Sequence, residues 1–408
     1  MQQVLILKPE PRPPSRAGKA LTATAAALMV VALAVLCAAC GSGPPRPRPV
    51  LSRYETATGH HIVRDCGFSV PLAARTRRSL WLFCDTLVTT RQGQEVGVPV
   101  LGAGTTAEGP GTPGRGPGVL TEVSTPSADG PGTPGASGAV SGLLPPRAGP
   151  RPFLPVPANL TLPASLLTCA GPHAYPARWV TGAVREPGSS GRVLISYADY
   201  CVSGGDTFTP EGFGLLGYDP AGNVLGPPTP VFTAPPGQQL PQPQVLGSPV
   251  FRGGYLYLFG WCGPGCDRGG VFLARTAATA AAWASGYTYQ YWTGRGWSAD
   301  LTHAAALTGY GEPLAVSVAD YPAGRHGLVM IEQTSAGGGF TLWQAQAPAG
   351  PWRQIQTGRV PCTAGKRVQA ADLCRALIGH PELSTGKELV ISFFNPGASH
   401  VQVIVDPW

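Results

Sequence analysis

Charge is scarce in this 408-residue chain. Only 12% of its residues are Asp, Glu, Lys or Arg, against about 25% in an average soluble protein. The formal net charge of +7 is small. Four of the basic residues and one acidic residue lie within 1–39, so the remainder carries only +4. No Lys/Arg run exceeds two residues, and few aromatics interleave with them, which argues against a nucleic-acid surface. Catalytic signatures are missing as well. There is no Gly-x-Ser-x-Gly elbow, no phosphate-cradling Gly-x-x-x-x-Gly-Lys-Ser/Thr loop and no His-Glu-x-x-His, so nothing points to serine-hydrolase, nucleotide or zinc-protease chemistry. Helical periodicity is nearly absent too, being confined to Thr276–Ala284 and Val368–Leu377.

What is abundant is glycine and proline, 56 and 45 residues. Such an excess implies many turns, and the apolar residues fall into short runs between them. Candidate strands are Arg192–Cys201, Gly214–Tyr218, Ser248–Phe251, Tyr255–Trp261, Gly270–Ala274 and Tyr287–Trp292. Further along come Leu314–Val318, Leu328–Gln333, Thr341–Ala345, Glu388–Phe394 and Val401–Val405. Many short strands at even spacing predict an all-β sandwich, barrel or propeller. Residues 124–150 form a Gly/Pro/Ser/Ala tract with hardly any large apolar side chain, expected to be a disordered, low-complexity insertion.

The N-terminus reads as an export signal: a basic segment, an uncharged apolar run from Ala20 to Ala39, then small residues before Cys40-Gly41-Ser42-Gly43. This resembles a bacterial lipobox, although Cys37 stands where Leu is usual. The expected organisation is a lipoprotein signal peptide over 1–39, a lipidated Cys40 and Pro-rich tether over 40–60, and one domain over 61–408. An uncleaved membrane-spanning anchor is the alternative, since about 20 apolar residues suffice. Either way the domain lies outside the cytoplasm, lipid-anchored to the membrane or held by a helix, and is expected to be monomeric.

Eight cysteines follow Cys40. An even number in an exported chain suggests disulfides. Locality favours sequential pairs: Cys66–Cys84, Cys169–Cys201, Cys262–Cys266 and Cys362–Cys374. A cysteine metal centre would need a second close pair or histidines beside Cys262 and Cys266, and neither is there. No metal is assigned on that basis.

The stretch richest in possible chemistry is Arg64–Thr86. Its two apolar runs, Phe68/Val70/Leu72 and Leu80-Trp81-Leu82-Phe83, flank a basic turn and predict a hairpin. Pairing would bring Asp65 and Asp85 to the same side, and a Cys66–Cys84 bridge would tie their neighbours together. Two apposed carboxyls are what glycoside hydrolysis requires, one protonated and one ionised. Equally, both aspartates could accept backbone hydrogen bonds in strand-end turns. Glu382 is a candidate third acid or a partner for Arg275. His380 could contact a sugar hydroxyl or serve as a loop histidine, and Arg275 is a candidate substrate contact. Trp179, Trp261 and Trp292 could stack on sugar rings or fill the core. Glu122 and Asp199 are weaker acid candidates.

Several segments together resemble a bacterial family, domain of unknown function 4185. They are Asp65-Cys66-Gly67-Phe68-Ser69-Val70, Leu80-Trp81-Leu82-Phe83-Cys84-Asp85-Thr86, Gly254-Tyr255-Leu256-Tyr257-Leu258-Phe259-Gly260, Val271-Phe272-Leu273-Ala274-Arg275, Tyr289-Gln290-Tyr291-Trp292, Gly350-Pro351-Trp352 and His380-Pro381-Glu382-Leu383-Ser384. They run in the family's order from about residue 60 to the C-terminus. The resemblance implies a five-bladed β-propeller akin to glycoside hydrolase families 43 and 32. Some members of the family are endo-D-arabinanases of glycoside hydrolase family 183, which cut mycobacterial cell-wall arabinan. It also implies that Asp65 and Asp85 are the catalytic pair and that the partner is a polysaccharide or cell-wall glycan. No cofactor is required, although propeller glycosidases sometimes hold Ca²⁺. This chain departs from the pattern at Cys84, where the family usually has Gly. A non-catalytic glycan- or protein-binding propeller of the cell envelope is the competing expectation.

Overall fold

A computed structural model describes residues 46–72, 77–97, 99–128, 149–154, 169, 174–203, 207–233, 245–261, 269–308, 313–322, 326–363 and 372–408. The described residues from Arg46 onward form one compact unit of five sheets, antiparallel except for the short β6–β10 pair. The N-terminal strand β1 is Arg48–Pro49. Blade 1 comprises β2 (His61–Pro71), β3 (Arg78–Thr89), β4 (Thr105–Pro110) and β5 (Thr121–Glu122), joined in that order. Blade 2 runs outward through β7 (Tyr175–Arg185), β8 (Val193–Ser203) and β9 (Thr207–Asp219). Short strands β6 (Ser127–Ala128), β10 (Val224–Leu225) and β11 (Thr229–Thr233) complete it. Blade 3 holds β12 (Val245–Arg252), β13 (Tyr255–Trp261), β14 (Val271–Ala277), β15 (Gln290–Trp292) and β16 (Trp297–Ser298). Blade 4 is β17 (Ala315–Tyr321), β18 (Gly327–Gln333), β19 (Gly339–Ala345) and β20 (Arg353–Arg359). Blade 5 is β21 (Arg375–Gly379), β22 (Glu388–Asn395) and β23 (His400–Pro407), with β1 as its outermost strand.

The five innermost strands β2, β7, β12, β17 and β21 touch one another in a ring. This is a five-bladed β-propeller. The ring closes by mixing the two ends of the chain in one sheet: Arg48 stands opposite Val403, and the Val50 amide donates to the Val401 carbonyl at 2.9 Å. The stretch expected to be a tether is therefore, from Arg46, part of the propeller unit. It includes helix α1 (Arg53–Thr58), where Ser52 and Glu55 cap each other reciprocally and Gly59, at φ 69°, ends the helix. That pairing is a capping box, which satisfies two otherwise orphaned amides.

The run Leu80-Trp81-Leu82-Phe83 explains why strands rather than helices form here. Side chains alternate across a sheet. Leu80 and Leu82 pack against Val180, Val193 and Ile195 of blade 2, while Trp81 and Phe83 pack against Val390, Val401 and Val403 of blade 5. All four are fully buried, since each inner blade face is covered by a neighbour. Similar apolar layers join blades 2 and 3, 3 and 4, and 4 and 5. Each buried aliphatic or aromatic side chain contributes about 1.5–3 kcal/mol, so the ring is held by its blade interfaces.

The two expected helices need correction. Thr276 and Ala277 end β14, and the helix α2 that follows covers only Ala280–Trp283, capped by Thr279. Within Val368–Leu377, Arg375–Leu377 begin an inner strand of the ring. Three of the expected disulfides form: Cys66–Cys84, Cys169–Cys201 and Cys362–Cys374. Such bridges point to an extracytoplasmic, oxidising compartment. Cys262 and Cys266, Cys40 with the leader, and residues 129–148 of the Gly/Pro-rich tract lie outside the described residues. Among the described residues no helix is long and apolar enough to cross a membrane.

Candidate functional site

A cavity of ≈ 750 Å³ opens on the propeller axis at the beginnings of the inner strands β2, β7, β17 and β21. Its only carboxylates among the described lining residues are Asp65 and Asp85. Both are placed by an irregularity in blade 1. Arg64 pairs with Thr86, and the next partners are Cys66 and Phe83, so Asp65 faces the Cys84-Asp85 step without a regular partner. A bulge of this kind re-aims side chains, and such bulges concentrate beside active sites. The Cys66–Cys84 bridge, with Cα atoms 5.4 Å apart, pins the bulge from both strands.

The two aspartates have unlike surroundings. Asp65 Oδ2 accepts from Arg375 Nε at 2.8 Å, and the Arg375 guanidinium lies 4.0 Å from the centre of the Phe394 ring. Asp65 Oδ1 is shielded from solvent and has no hydrogen-bond partner among the described residues, which costs about 1–3 kcal/mol unless a bound donor reaches it. Asp85 accepts three hydrogen bonds. The Gly102 amide and the Trp179 indole reach Oδ1 at 2.6 and 2.9 Å, and the Tyr175 hydroxyl reaches Oδ2 at 2.6 Å. These donors favour the carboxylate, but burial, reinforced by the charge on Asp65, outweighs them and raises the Asp85 carboxyl above the ordinary range. Gly102 is required where it stands. Its φ is 72°, and a Cβ there would come within 2.4 Å of the Pro176 carbonyl. The loop thus reaches Asp85 with its amide while its carbonyl accepts from Arg178 on β7.

The wall is largely aromatic. Trp179 packs against Tyr200 and Phe208 at 5.2 and 5.4 Å between ring centres, Phe208 is exposed, and Trp261 closes a further side. Flat apolar surfaces beside a few directed polar groups suit the apolar faces of sugar rings as well as other ligands.

Other expected site residues are elsewhere. His380 is fully buried, 4.8 Å from the Trp81 ring centre. Ser69 hydroxyl bridges its Nδ1 and Glu382 Oε1. Burial pushes His380 down to about 3 and raises Glu382. Neither lines the cavity. Arg275 does not pair with Glu382: it bonds Gln290 Oε1 at 3.0 and 3.1 Å and lies between the Tyr255 and Trp297 rings, in blade 3. Trp292 packs against Trp297. Glu122 is engaged by Arg64 at 2.9 Å, and Asp199 by two nitrogens of Arg178 at 2.7 and 2.9 Å. A metal held by Asp65, Cys66 and Cys84 is ruled out because both sulfurs are in the bridge. Tyr175 and Arg375 are the contributors that sequence reasoning missed. Each sits at the first position or two of an inner strand, a signal readable only once the blades are counted.

The comparisons with known proteins show a shared fold. No protein-family model and no curated protein matches the chain. Among solved structures, a protein described as a hydrolase from Bacteroides ovatus is similar at a TM-score of 0.53 and 14% identity, covering 88% of this chain and 87% of that one. A family 43 β-xylosidase/α-arabinofuranosidase from a compost metagenome, solved with xylotriose, follows at 0.42 and 10%, covering 89% and 95%. An exo-β-1,3-galactanase from Phanerochaete chrysosporium, solved with β-1,3-galactotriose, gives 0.43 and 9%, covering 89% and 64%. At these identities the likeness concerns architecture, and the chemistry of the site has to be argued from its own residues.

Proposed function

We propose that the axial cavity is a glycan-cleaving site and that the chain is a glycoside hydrolase of cell-wall or environmental polysaccharide, of the arabinan type. One observation carries this reading: two carboxyl groups with opposite environments share one aromatic-walled cavity. Asp85, whose pKa is raised by burial and by its neighbour's charge, is the group suited to give a proton to the departing glycosidic oxygen. Asp65, paired with Arg375, is the anionic partner that attacks the anomeric carbon or takes the proton of an attacking water. Glycosidases need this division of labour. Trp179 both steers Asp85 and offers a stacking face. The resemblance to the 4185 family and its arabinanases supports arabinan as the first substrate to try.

A second reading has its own observation. Asp85 is held by three donors, as a purely architectural aspartate would be, and that favours a non-catalytic glycan-binding propeller. The deciding experiment assays arabinan, arabinogalactan and other polysaccharides for new reducing ends. Asp65→Asn and Asp85→Asn should each lower turnover by about 10²–10⁴-fold, with the thermal transition retained. Full activity in both variants would remove the pair from the mechanism. A wild type that cleaves nothing yet is retained on a glycan column would establish the binding reading instead.

Attachment at Cys40 completes the proposal: an exported propeller held at the outer face of the membrane by lipid. Labelling with a radioactive fatty acid should mark the wild type and not Cys40→Ala, which should be found in the medium. Labelling of the Cys40→Ala variant would overturn the anchor.

A further inference from the structure

The ring closure carries a cluster unrelated to the axial cavity. Glu55 comes from α1, His61 from the first residue of β2 and His400 from the first residue of β23. One ligand atom from each lies within 4.8 Å of the other two. Glu55 Oε1 and His400 Nδ1 are 3.7 Å apart, and the two imidazole centres 5.6 Å. Glu55 is buried, His61 and His400 half-buried, and none of them lines the cavity.

We propose that Glu55, His61 and His400 bind a zinc ion that clasps the N-terminal segment, the first blade and the last strand together. Two imidazoles and one carboxylate form a recurrent zinc donor set that leaves a fourth position for water. Tetrahedral zinc with bonds of about 2.0–2.2 Å places its ligand atoms about 3.3–3.5 Å apart. The Glu55–His400 separation exceeds this by a few tenths of an ångström, and no separation exceeds it by more than about 1.5 Å. Side-chain rotation closes such gaps, since the three residues stand on separate segments.

The surroundings leave room for the ion. Glu55 Oε2 accepts from the Ser52 amide and Oε1 from the Ile62 amide, at 3.3 and 3.4 Å. A carboxylate offers about four lone-pair sites, so coordination remains open to it. The nearby cation that would oppose a metal is Arg64, and it is engaged by Glu122 at 2.9 Å and by the Phe83 face at 3.7 Å. Calcium is disfavoured because it takes oxygen ligands.

The test uses the exported protein, purified without a histidine tag and stripped with a chelator. Equilibrium dialysis against Zn²⁺ should load one ion per chain, and substitution by Co²⁺ should give the visible bands of a four-coordinate site. Zn²⁺ at about 100-fold over its dissociation constant should raise Tm by about 3–4 °C. His61→Gln and His400→Gln should each weaken binding at least 10-fold. Glu55→Gln should do the same while keeping the helix cap, because Gln serves in a capping box as Glu does. Loading well below one ion per chain, octahedral Co²⁺ bands, or affinity unchanged in all three variants would overturn the site. Should one histidine variant fail to fold, the wild-type Co²⁺ spectrum and Glu55→Gln still decide. Glycan cleavage enters none of these readouts.

Discussion

Removing the Cys66–Cys84 bridge tests whether the hairpin that carries both aspartates is held by covalent constraint or by its own packing. The bridge closes a loop of sequence separation 18. In the chain-entropy account a loop of that size stabilises the folded state by about 3 kcal/mol. An unfolding entropy of about 2.1 cal/mol/K per residue, over a body of about 360 residues, gives roughly 0.75 kcal/mol per degree. The pair Cys66→Ala/Cys84→Ala should therefore lower Tm by about 4 °C in a calorimetric scan at fixed rate. Cys66 adds a second, separable effect. It sits at φ 63°, where an L-residue is strained by about 1–2 kcal/mol and glycine is not. Glycine's extra freedom in the unfolded chain offsets part of that gain. Cys66→Gly/Cys84→Ala should therefore melt about 1 °C above the double-alanine variant. A fall below 1 °C for the double alanine would refute the loop argument, and a glycine variant no better than alanine would refute the strain argument. The proposed glycan cleavage should drop in both, since the bulge that aims Asp65 and Asp85 loses its pin.

Other perturbations probe single environments. Glu122→Ala strips a partner from Arg64, whose side chain is 2% exposed. An uncompensated buried charge costs about 3–5 kcal/mol, hence a fall of roughly 4–7 °C in Tm, while Arg64→Met/Glu122→Leu should be far milder; equal losses would defeat that account. Glu332 is fully buried, with Oε2 bonded to the Trp343 indole at 2.6 Å, Oε1 unpartnered and its pKa raised by burial. Between the ordinary glutamate pKa and the raised one the folded state binds more protons than the unfolded state, so stability falls as pH rises through that window. Glu332→Gln should flatten that fall in melts taken from pH 4 upward, and an unchanged slope would contradict it. Trp179→Phe keeps an aromatic face but deletes a donor to Asp85, so the Asp85 pKa should rise further. The alkaline limb of any glycan-cleaving activity should then move to higher pH; a shift to lower pH would reverse the assignment of Asp85 as the acid.

The strands were legible in the sequence because blade faces are covered on both sides: Leu80-Trp81-Leu82-Phe83 is apolar at every position and bounded by turns. The bridges were legible because each links cysteines that are successive in the chain, 12 to 32 residues apart. The blade count came from family resemblance, because no repeat period survives in the sequence. Arg375–Leu377, the end of the expected helix Val368–Leu377, instead begin β21, and a strand only five residues long gives no alternation to count. The site was half legible. Asp65 and Asp85 stand in one hairpin and could be paired on paper, whereas Tyr175 and Arg375 arrive from other blades. His380 and Glu382 mislead because the His-Pro-Glu string suggests chemistry, yet both side chains turn into the blade 1–blade 5 packing beside Ser69 and Trp81. The Glu55, His61 and His400 cluster joins opposite ends of the chain, beyond the reach of any spacing rule.

That joining has a consequence for how the molecule is made. Arg48 pairs with Val403, almost the whole length of the chain away. Contacts of such sequence separation form late, because loop-closure entropy must be overcome first. During synthesis or export the first strand waits, unpaired, until the last one emerges, and until then blade 5 presents an open edge that invites wrong partners. Folding of this propeller is therefore completed when its first and last strands meet, and loss of either Arg48–Pro49 or His400–Pro407 removes a ring closure rather than a tail.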